Sequence, residues 1–349
     1  MKPYEELTRR GRIGRMRKLA EIALKVFGFH DAHFSFLHEA GNILFKVNKN
    51  QLDSIQDNDV YINGQYLLRI HQPGYQKREG IELELKWLDA MCRDEGLPVP
   101  KPFATNQGDM LITISIAGIP EDRNVSLLQW VRGRKVTKNI HPKHFQAQGY
   151  LMGRIHEHSS KWDVPISASK RKYDWDGLFR EDLGEGMSAI DAWSFLPKEY
   201  IKPYEIIAEK LRIAMDKLGE SRDVYGLIHG DLGMDANLLF WRGEARAIDF
   251  DDSGYGYYIY DLSLALEHCQ GEEVYSIFKD ALLNGYVQVR PECVDQMQYL
   301  DLFLQAFNVY LSLWAATAII KYPKYQRDLE NRMERAYNMV IGYLENTNH

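Results

Sequence analysis

The chain has 349 residues, 45% of them hydrophobic, which is enough to bury a large core and long enough for two domains or lobes. Its formal net charge of -6 argues against bulk nucleic-acid binding. The three cysteines, Cys92, Cys269 and Cys293, form no CxxC pair, which excludes a disulfide framework or a cysteine zinc site and points to a reducing cytoplasm.

The stretch TRRGRIGRMRK, residues 8 to 18, packs six Lys and Arg into eleven positions. It leads into LAEIALKVF, where Leu19, Ile22, Ala23, Val26 and Phe27 recur at helical spacing, so one amphipathic helix with a charged face is expected. A transit peptide or a site for an acidic partner is the alternative, and Glu5 and Glu6 ahead of the arginines weigh against it. Residues 34 to 70 alternate in short strand-like runs, FSFLH, NILFKV, DVYI and QYLLRI, broken by AGN, by the polar stretch NKNQLDSIQDN and by Asn63-Gly64. An antiparallel sheet follows from that pattern. GIELELKWLDAMCRDEG then reads as a helix with Ile81, Glu84, Leu85, Leu88 and Met91 on one face, and three prolines in LPVPKPF end it. Glu84 is the odd member, a carboxylate on an apolar stripe; a rim position reaching solvent is the alternative for it, with Glu82 and Glu79 as substitutes.

The strand-like MLITISI, 110 to 116, breaks at Ala117-Gly118-Ile119-Pro120, after which helical periodicities dominate. The expected organisation is α+β and bilobal, with a small antiparallel-sheet N-lobe over residues 1 to 116 and a larger helical C-lobe over 117 to 349. The longest apolar run, 302 to 320, has the length of a membrane span, but Gln305, Asn308 and several hydroxyls make a buried helix the expectation. No membrane and no nucleic-acid partner is expected.

IHGDLGMDANLLF, 228 to 240, sets His229, Asp231, Asp235 and Asn237 between two apolar runs. From Leu238, LLFW and ARAIDF flank Arg242-Gly243-Glu244, which predicts a hairpin. A three-residue loop would place Trp241 opposite Ala245 and Asn237 opposite Asp249, so that an amide oxygen and a carboxylate could share one hard cation. Asp231, in the same loop, could accept the proton of an attacking hydroxyl. The bland alternative is a polar loop whose Asp and Asn satisfy backbone turns.

HGDLGMDANLLF followed by AIDFDDSGYGYYIYDLSLAL, 247 to 266, resembles the catalytic loop and metal segment of the aminoglycoside phosphotransferase and choline kinase-like family, which has the protein-kinase fold. The resemblance makes Asp231 the catalytic base, His229 a backbone organiser of the loop, and Asn237 and Asp249 the Mg2+ ligands. Asp261 resembles the family's buried brace of that loop, with a helix N-terminal cap as the alternative. YLLRIH implies that Arg69 holds the phosphates of ATP, and ELKWL implies that Glu84 is its acidic partner. LHEAGNILFKV resembles the hairpin over the nucleotide, and LITISIAG the hinge, where Ser115 and Ala117 would meet adenine. GYLMGRIHEHS resembles the helix before the catalytic loop, with His156 and His158 in structural roles.

Two departures stand out. Asp231 to Asn237 spans six residues where the family has five, so an extra residue at 233 to 236 either bulges or lets Asp235 share the metal. Arg69 stands where lysine is commoner. Asp251 and Asp252 carry either a second-metal or a solvated-turn reading. The activity implied is ATP-dependent phosphoryl transfer to a hydroxyl of a small molecule such as an aminoglycoside, another antibiotic or an amino alcohol. A nucleotide-binding pseudokinase is the runner-up, and a protein kinase is disfavoured because no Ala-Pro-Glu-like segment follows Asp249. No GxxxxGK(S/T) occurs, so P-loop chemistry is unsupported. FREDLGEGMSAIDAW, 179 to 193, and ALEHCQGEEVY, 265 to 275, are acidic and aromatic, which suits a cationic acceptor or an ordinary solvated helix surface. The oligomeric state is left open.

Overall fold

A computed structural model describes residues 2–49, 59–164, 170–181, 183 and 187–347. Most of the polar stretch NKNQLDSIQDN and part of FREDLGEGM lie outside the described residues.

The helix after the arginine-rich start is α1 (Arg9–Val26), opened by Thr8, whose hydroxyl accepts from the Gly11 N–H. Its buried stripe is Met16, Leu19, Ala20, Ala23 and Leu24. Ile22 and Val26, placed on the apolar face by spacing within LAEIALKVF, are instead exposed. Met16 sets the phase: it begins an i, i+3, i+4, i+7 series that includes Leu19, Ala20 and Ala23 and leaves Ile22 outside.

Seven further elements follow: β1 (His33–Ala40), β2 (Asn42–Asn48), β3 (Tyr61–Ile70), α2 (Arg78–Asp94), β4 (Pro102–Phe103), β5 (Leu111–Ile114) and β6 (Arg123–Val131). Among the described residues the strands make one antiparallel sheet in the order β1-β2-β3-β6-β4, with β5 also paired on β6. Asn63-Gly64 does not end a strand: β3 runs through it with a register shift between Tyr61 and Tyr66, and Gly64 takes φ +71 there. Alternation along β3 sends Tyr66, Leu68 and Ile70 into one core with Leu19, Ala23 and Leu24 of α1. Arg69 faces the other way, toward Glu84 of α2.

The chain divides into two compact units: Met1–Arg134, Val164–Lys170 and Arg246–Asp251 in unit one, and Lys135–Asp163, Arg171–Ala245 and Asp252–His349 in unit two. Strand β6, beyond residue 117, belongs to unit one because it hydrogen-bonds β3 along Tyr66 to Ile70. Unit two begins with α3 (Pro142–Lys161), β7 (Lys172–Tyr173), α4 (Trp175–Phe179), α5 (Ala189–Ala192) and α6 (Lys198–Leu218). It continues through β8 (Tyr225–Ile228), β9 (Leu238–Trp241), β10 (Glu244–Ala247), β11 (Gly254–Tyr257) and α7 (Tyr258–Leu264) to α8 (Tyr275–Tyr286), α9 (Leu300–Lys321) and α10 (Gln326–Thr347). The division between units falls inside β10.

The helix α9 carries the longest apolar run and is the core helix of unit two, where α6, α7 and α10 pack on it. Its polar side chains are satisfied inside: Asn308 Nδ2 donates to Gln270 Oε1 at 2.9 Å and to Gln305 Oε1 at 3.1 Å, and Ser312 bonds the Tyr204 hydroxyl at 2.8 Å.

Helices α3 and α8 meet backbone to backbone. A Cβ on Gly149 would stand 1.9 Å from the Leu282 carbonyl oxygen, and one on Gly285 would stand 2.0 Å from the Gln146 carbonyl oxygen. Gly342 in α10 has open space around its Cβ position. Urea denaturation should therefore show Gly149→Ala losing about 1–3 kcal/mol or more through forced separation of the helices, while Gly342→Ala gains about 0.4–1 kcal/mol. Equal effects at the two sites would refute the close packing.

Candidate active site

In unit two, the loop after β8 is held by a buried carboxylate. Asp261, 1% exposed, accepts from the His229 N–H at 3.0 Å, the Gly230 N–H at 2.9 Å and His156 Nε2 at 3.0 Å. It sits inside α7, whose N-cap is Tyr257, so its role is the brace and not the cap. Burial pushes the Asp261 carboxyl up, but the His156 hydrogen bond and the neighbouring imidazoles and amide outweigh it and hold the group below its ordinary value. Burial lowers His156, against the pull of Asp261, so the neutral ring donates through Nε2 and accepts from the Tyr286 hydroxyl at Nδ1, 3.1 Å away. His158 is also buried and stacks on Trp162.

The same loop is ordered further by its own members. His229 is fully buried and its Nδ1 accepts from the Asp231 N–H at 3.3 Å. Gly230 sits at φ +81, and a Cβ there would come within 2.5 Å of the Asp252 carbonyl oxygen, so only glycine fits between His229 and Asp231. From α3, Gln148 donates to the Leu232 carbonyl at 2.8 Å. Asp231 itself is exposed. Asn237 Nδ2 donates to its carbonyl at 3.0 Å and its Oδ2 at 2.8 Å, so the bonds of Asn237 run through its nitrogen and leave Oδ1 to accept elsewhere. The extra residue is taken up in a turn closed by the Ala236 N–H on the Gly233 carbonyl at 3.3 Å. Asp235 in that turn bonds His268 Nε2 at 2.7 Å, and His268 Nδ1 meets Glu267 at 2.8 Å. Glu267 first and Asp235 second, against partial burial, hold His268 above its usual value.

In unit one, Arg69 and Glu84 form a buried ion pair through Nη2 and Oε1, with Arg69 2% and Glu84 0% exposed. The rim reading of Glu84 is excluded, and Glu82 instead pairs with Arg78 at 2.8 Å. Arg69 Nη1 lies 3.2 Å from Asp251 and 3.7 Å from Asp249. Burial opposes its charge, but Glu84, Asp251 and Asp249 more than compensate and raise its pKa. Asp251 also accepts from Asn42 Nδ2 at 2.7 Å and Gln76 Nε2 at 3.1 Å. It is a hub of hydrogen bonds, a role outside both readings weighed for it, and Asn42 and Gln76 were not singled out from sequence. Asp249 is exposed and takes φ +65, a left-handed backbone that a non-glycine residue adopts at a cost. The next residue, Phe250, is buried edge-on against Trp87 of α2 at 5.7 Å. Ser115 and Ala117, expected at the hinge, are exposed just after β5, where the Ser115 hydroxyl bonds Asp122.

The β9–β10 hairpin forms, but its loop is two residues, Arg242 and Gly243, both at positive φ as a type I′ turn demands. Trp241 and Glu244 then close the ladder, so the alternation argument that set Asn237 opposite Asp249 fails: a one-residue change of register exchanges the faces. The strand ends at Ala247, and the left-handed backbone at Asp249 aims that side chain independently of the ladder.

Among the described residues no group of three or more His, Cys, Asp or Glu side chains could hold a metal ion. Asn237 Oδ1 in unit two and the exposed Asp249 carboxylate in unit one are each oxygen donors of the type a hard cation takes.

An antiparallel sheet with a buried Arg-Glu pair on its helix, and a helical unit carrying a braced His-Gly-Asp loop, define an α+β protein-kinase-like fold. A profile of the phosphotransferase enzyme family, APH, matches residues 50–291, and the chain belongs to that family. It is 26% identical to the amicoumacin kinase of Bacillus subtilis (strain 168) over 253 residues, which are 71% of this chain and 66% of that protein, so the match spans a little under two thirds of the relative. Among solved structures the chain is similar to amicoumacin kinase hAmiN in complex with AMP-PNP, Ca2+ and Ami, with TM-score 0.74, 21% identity, and 95% of this chain and 96% of that one covered. It is also similar to the microcompartment-associated aminopropanol kinase, with TM-score 0.72, 23% identity, and 93% and 94% covered. These likenesses establish a shared fold.

The His156–Asp261 pair carries a pH dependence. Both folded values lie below the ordinary ones, so the unfolded chain binds protons more readily, and the stability contributed at neutral pH is lost on acidification. The loss begins as pH falls through about 6.5, where unfolded histidine titrates, and deepens near the ordinary aspartate range. The thermal midpoint should fall below about pH 6.5, and less steeply in His156→Gln; an identical slope in the variant would refute the assignment.

Proposed function

We propose that the protein transfers the γ-phosphoryl group of ATP to a hydroxyl of a small molecule. The observation that carries this reading is Asp231: an exposed carboxylate on a loop whose two preceding amides are fixed by buried Asp261 and whose own amide is fixed by His229. A group that must meet a hydroxyl within hydrogen-bond reach needs that rigidity. Asp231 aligns the acceptor hydroxyl and takes its proton as the oxygen attacks the γ-phosphorus and ADP departs. Asn237 holds the Asp231 carboxylate in place through Nδ2. Arg69, fixed by Glu84, orients the phosphates, and Ser115 and Ala117 would meet adenine. Asn237 and Asp249 would hold Mg2+, which when bound neutralises charge on the β- and γ-phosphates. The complex of hAmiN with AMP-PNP and Ca2+ supports a nucleotide and a divalent cation for this chain.

The acceptor belongs, in this reading, to the smaller and charged end of the family's range. Unit two has a cavity of about 210 Å³ lined by Glu267, His268, Gln270, Asn308, Arg332 and Arg335, and the His268–Asp235 bond joins it to the Asp231 loop. That volume falls below the roughly 300–1,000 Å³ of pockets for drug-sized ligands. Glu267 suits an ammonium and the arginines a carboxylate or carbonyl, so an amino alcohol or a hydroxy amino acid fits better than a multi-ring aminoglycoside. A cytoplasmic location accords with three free cysteines, whose thiols burial pushes up to about 11.

Turnover of ATP with magnesium across a panel of amino alcohols, hydroxy amino acids, aminosugars and antibiotics tests the proposal. Asp231→Ala should cost about 100- to 10,000-fold in acceptor-dependent turnover while nucleotide binding persists. Nucleotide binding with no acceptor-dependent turnover for any compound would favour the pseudokinase reading instead.

A further inference from the structure

A second cation stands beside Glu84 that no role above employs. Lys170, in the segment Val164–Lys170 of unit one, has its Nζ 3.8 Å from Glu84 Oε2, with its side chain 3% exposed. The ammonium donates to Gln76 Oε1 at 3.0 Å, and Gln76 Nε2 donates in turn to the Asp251 carbonyl at 2.6 Å and carboxylate at 3.1 Å. Arg69 closes the circuit, with Nη2 on Glu84 Oε1 and Nη1 on Asp251 Oδ1. Arg69, Glu84, Lys170, Gln76 and Asp251 therefore form a ring of five side chains, two cations and two carboxylates joined through one carboxamide. Asp249 stands 3.7 Å from Arg69 at its edge.

The ring answers a problem that Arg69 creates. A guanidinium is a rigid planar fork, and here its two terminal nitrogens are divided between Glu84 and Asp251. The fork is aimed correctly only while both carboxylates are held. Glu84 is fully buried and Arg69 serves one of its oxygens; the other faces Lys170. Asp251 is held by Gln76, which shares Oδ1 with Arg69 and which Lys170 orients by engaging its side-chain carbonyl oxygen, while Asn42 holds Oδ2. Lys170 thus restrains both partners of the arginine, Glu84 directly and Asp251 through Gln76. The neighbouring residue repeats the theme in unit two, where Arg171 lies 3.4 Å from Asp252. Consecutive basic residues serve consecutive aspartates.

We propose that Lys170 is a positioning residue of the nucleotide site, acting through Glu84 and Gln76 to hold Arg69 and Asp251, and through Arg69 the edge at Asp249. The proposal rests on the phosphotransferase reading, because it takes Arg69 to orient nucleotide phosphates. Its test is calorimetric titration of the full chain with magnesium and AMP-PNP, which needs no acceptor. Lys170→Met should weaken nucleotide binding about 10- to 100-fold, the scale of a lost charge-assisted contact in a buried setting. Lys170→Arg should retain most of the affinity. Gln76→Leu should reproduce the loss, and the double variant should be little worse than either single one, because both break the same ring. In turnover, the effect should fall on KM for ATP and leave kcat near that of the parent.

Lys170→Met that binds nucleotide within about twofold of the parent, or effects at Lys170 and Gln76 that simply add, would overturn the role of Lys170 alone. A parent protein that binds no nucleotide would overturn the phosphotransferase reading and this proposal together.

Discussion

One buried carboxylate sets the order of the helical unit's site. Asp261 is shut away from water and remains ionised because two backbone amides and one imidazole converge on it. An isolated ion in such a place would cost several kcal/mol, so the fold tolerates Asp261 only while those donors stay where they are. The requirement runs in both directions. The donors at His229 and Gly230 are the amides that lead into Asp231, so the cost of leaving Asp261 unsatisfied becomes a restraint on Asp231. Tyr286 extends the restraint through His156 to α8, which is itself pressed against α3 at Gly149 and Gly285.

The sheet-bearing unit solves a related problem with more partners. Arg69 and Glu84 alone would leave one terminal guanidinium nitrogen and one carboxylate oxygen unserved in a buried place. Asp251 and Asp249 engage the guanidinium's other terminal nitrogen, while Asn42, Gln76 and Lys170 keep the surrounding groups in place. Arg246 ties the start of the Asp249 segment to the same unit, donating to the carbonyls of Val60 and Arg132 at 3.1 Å each. Electrostatic balance and backbone anchoring therefore converge on the six residues Arg246–Asp251.

Much of this was legible in the order of residues. Period-two alternation disclosed the sheet, a carboxylate on an apolar helical stripe disclosed Glu84, and His-Gly-Asp between two greasy runs disclosed the loop. What escaped has a physical reason in each case. Asn42 and Asp251 are 209 residues apart and Gln76 and Asp251 are 175 apart, and no local pattern encodes which distant polar groups will meet. Strand β6 lies beyond the Ala117–Pro120 break, where the sequence pattern turns helical, and its place is set by long-range pairing with β3. The polarity of Glu244 suggests a loop residue and a three-residue turn, whereas positive φ at both Arg242 and Gly243, invisible in composition, makes the turn two residues long. Asn63-Gly64 has the composition of a hairpin turn yet serves as an irregularity inside one strand.

The backbone at Asp249 carries a further implication. A left-handed conformation costs a non-glycine residue on the order of 1–3 kcal/mol, and glycine would adopt the same φ of +65 freely. At this position the residue that folds best and the residue that sets a carboxylate beside Arg69 are different. A population selected for thermostability alone would drift toward glycine there and surrender the carboxylate, so the aspartate trades local ease of folding for the charge it sets beside Arg69.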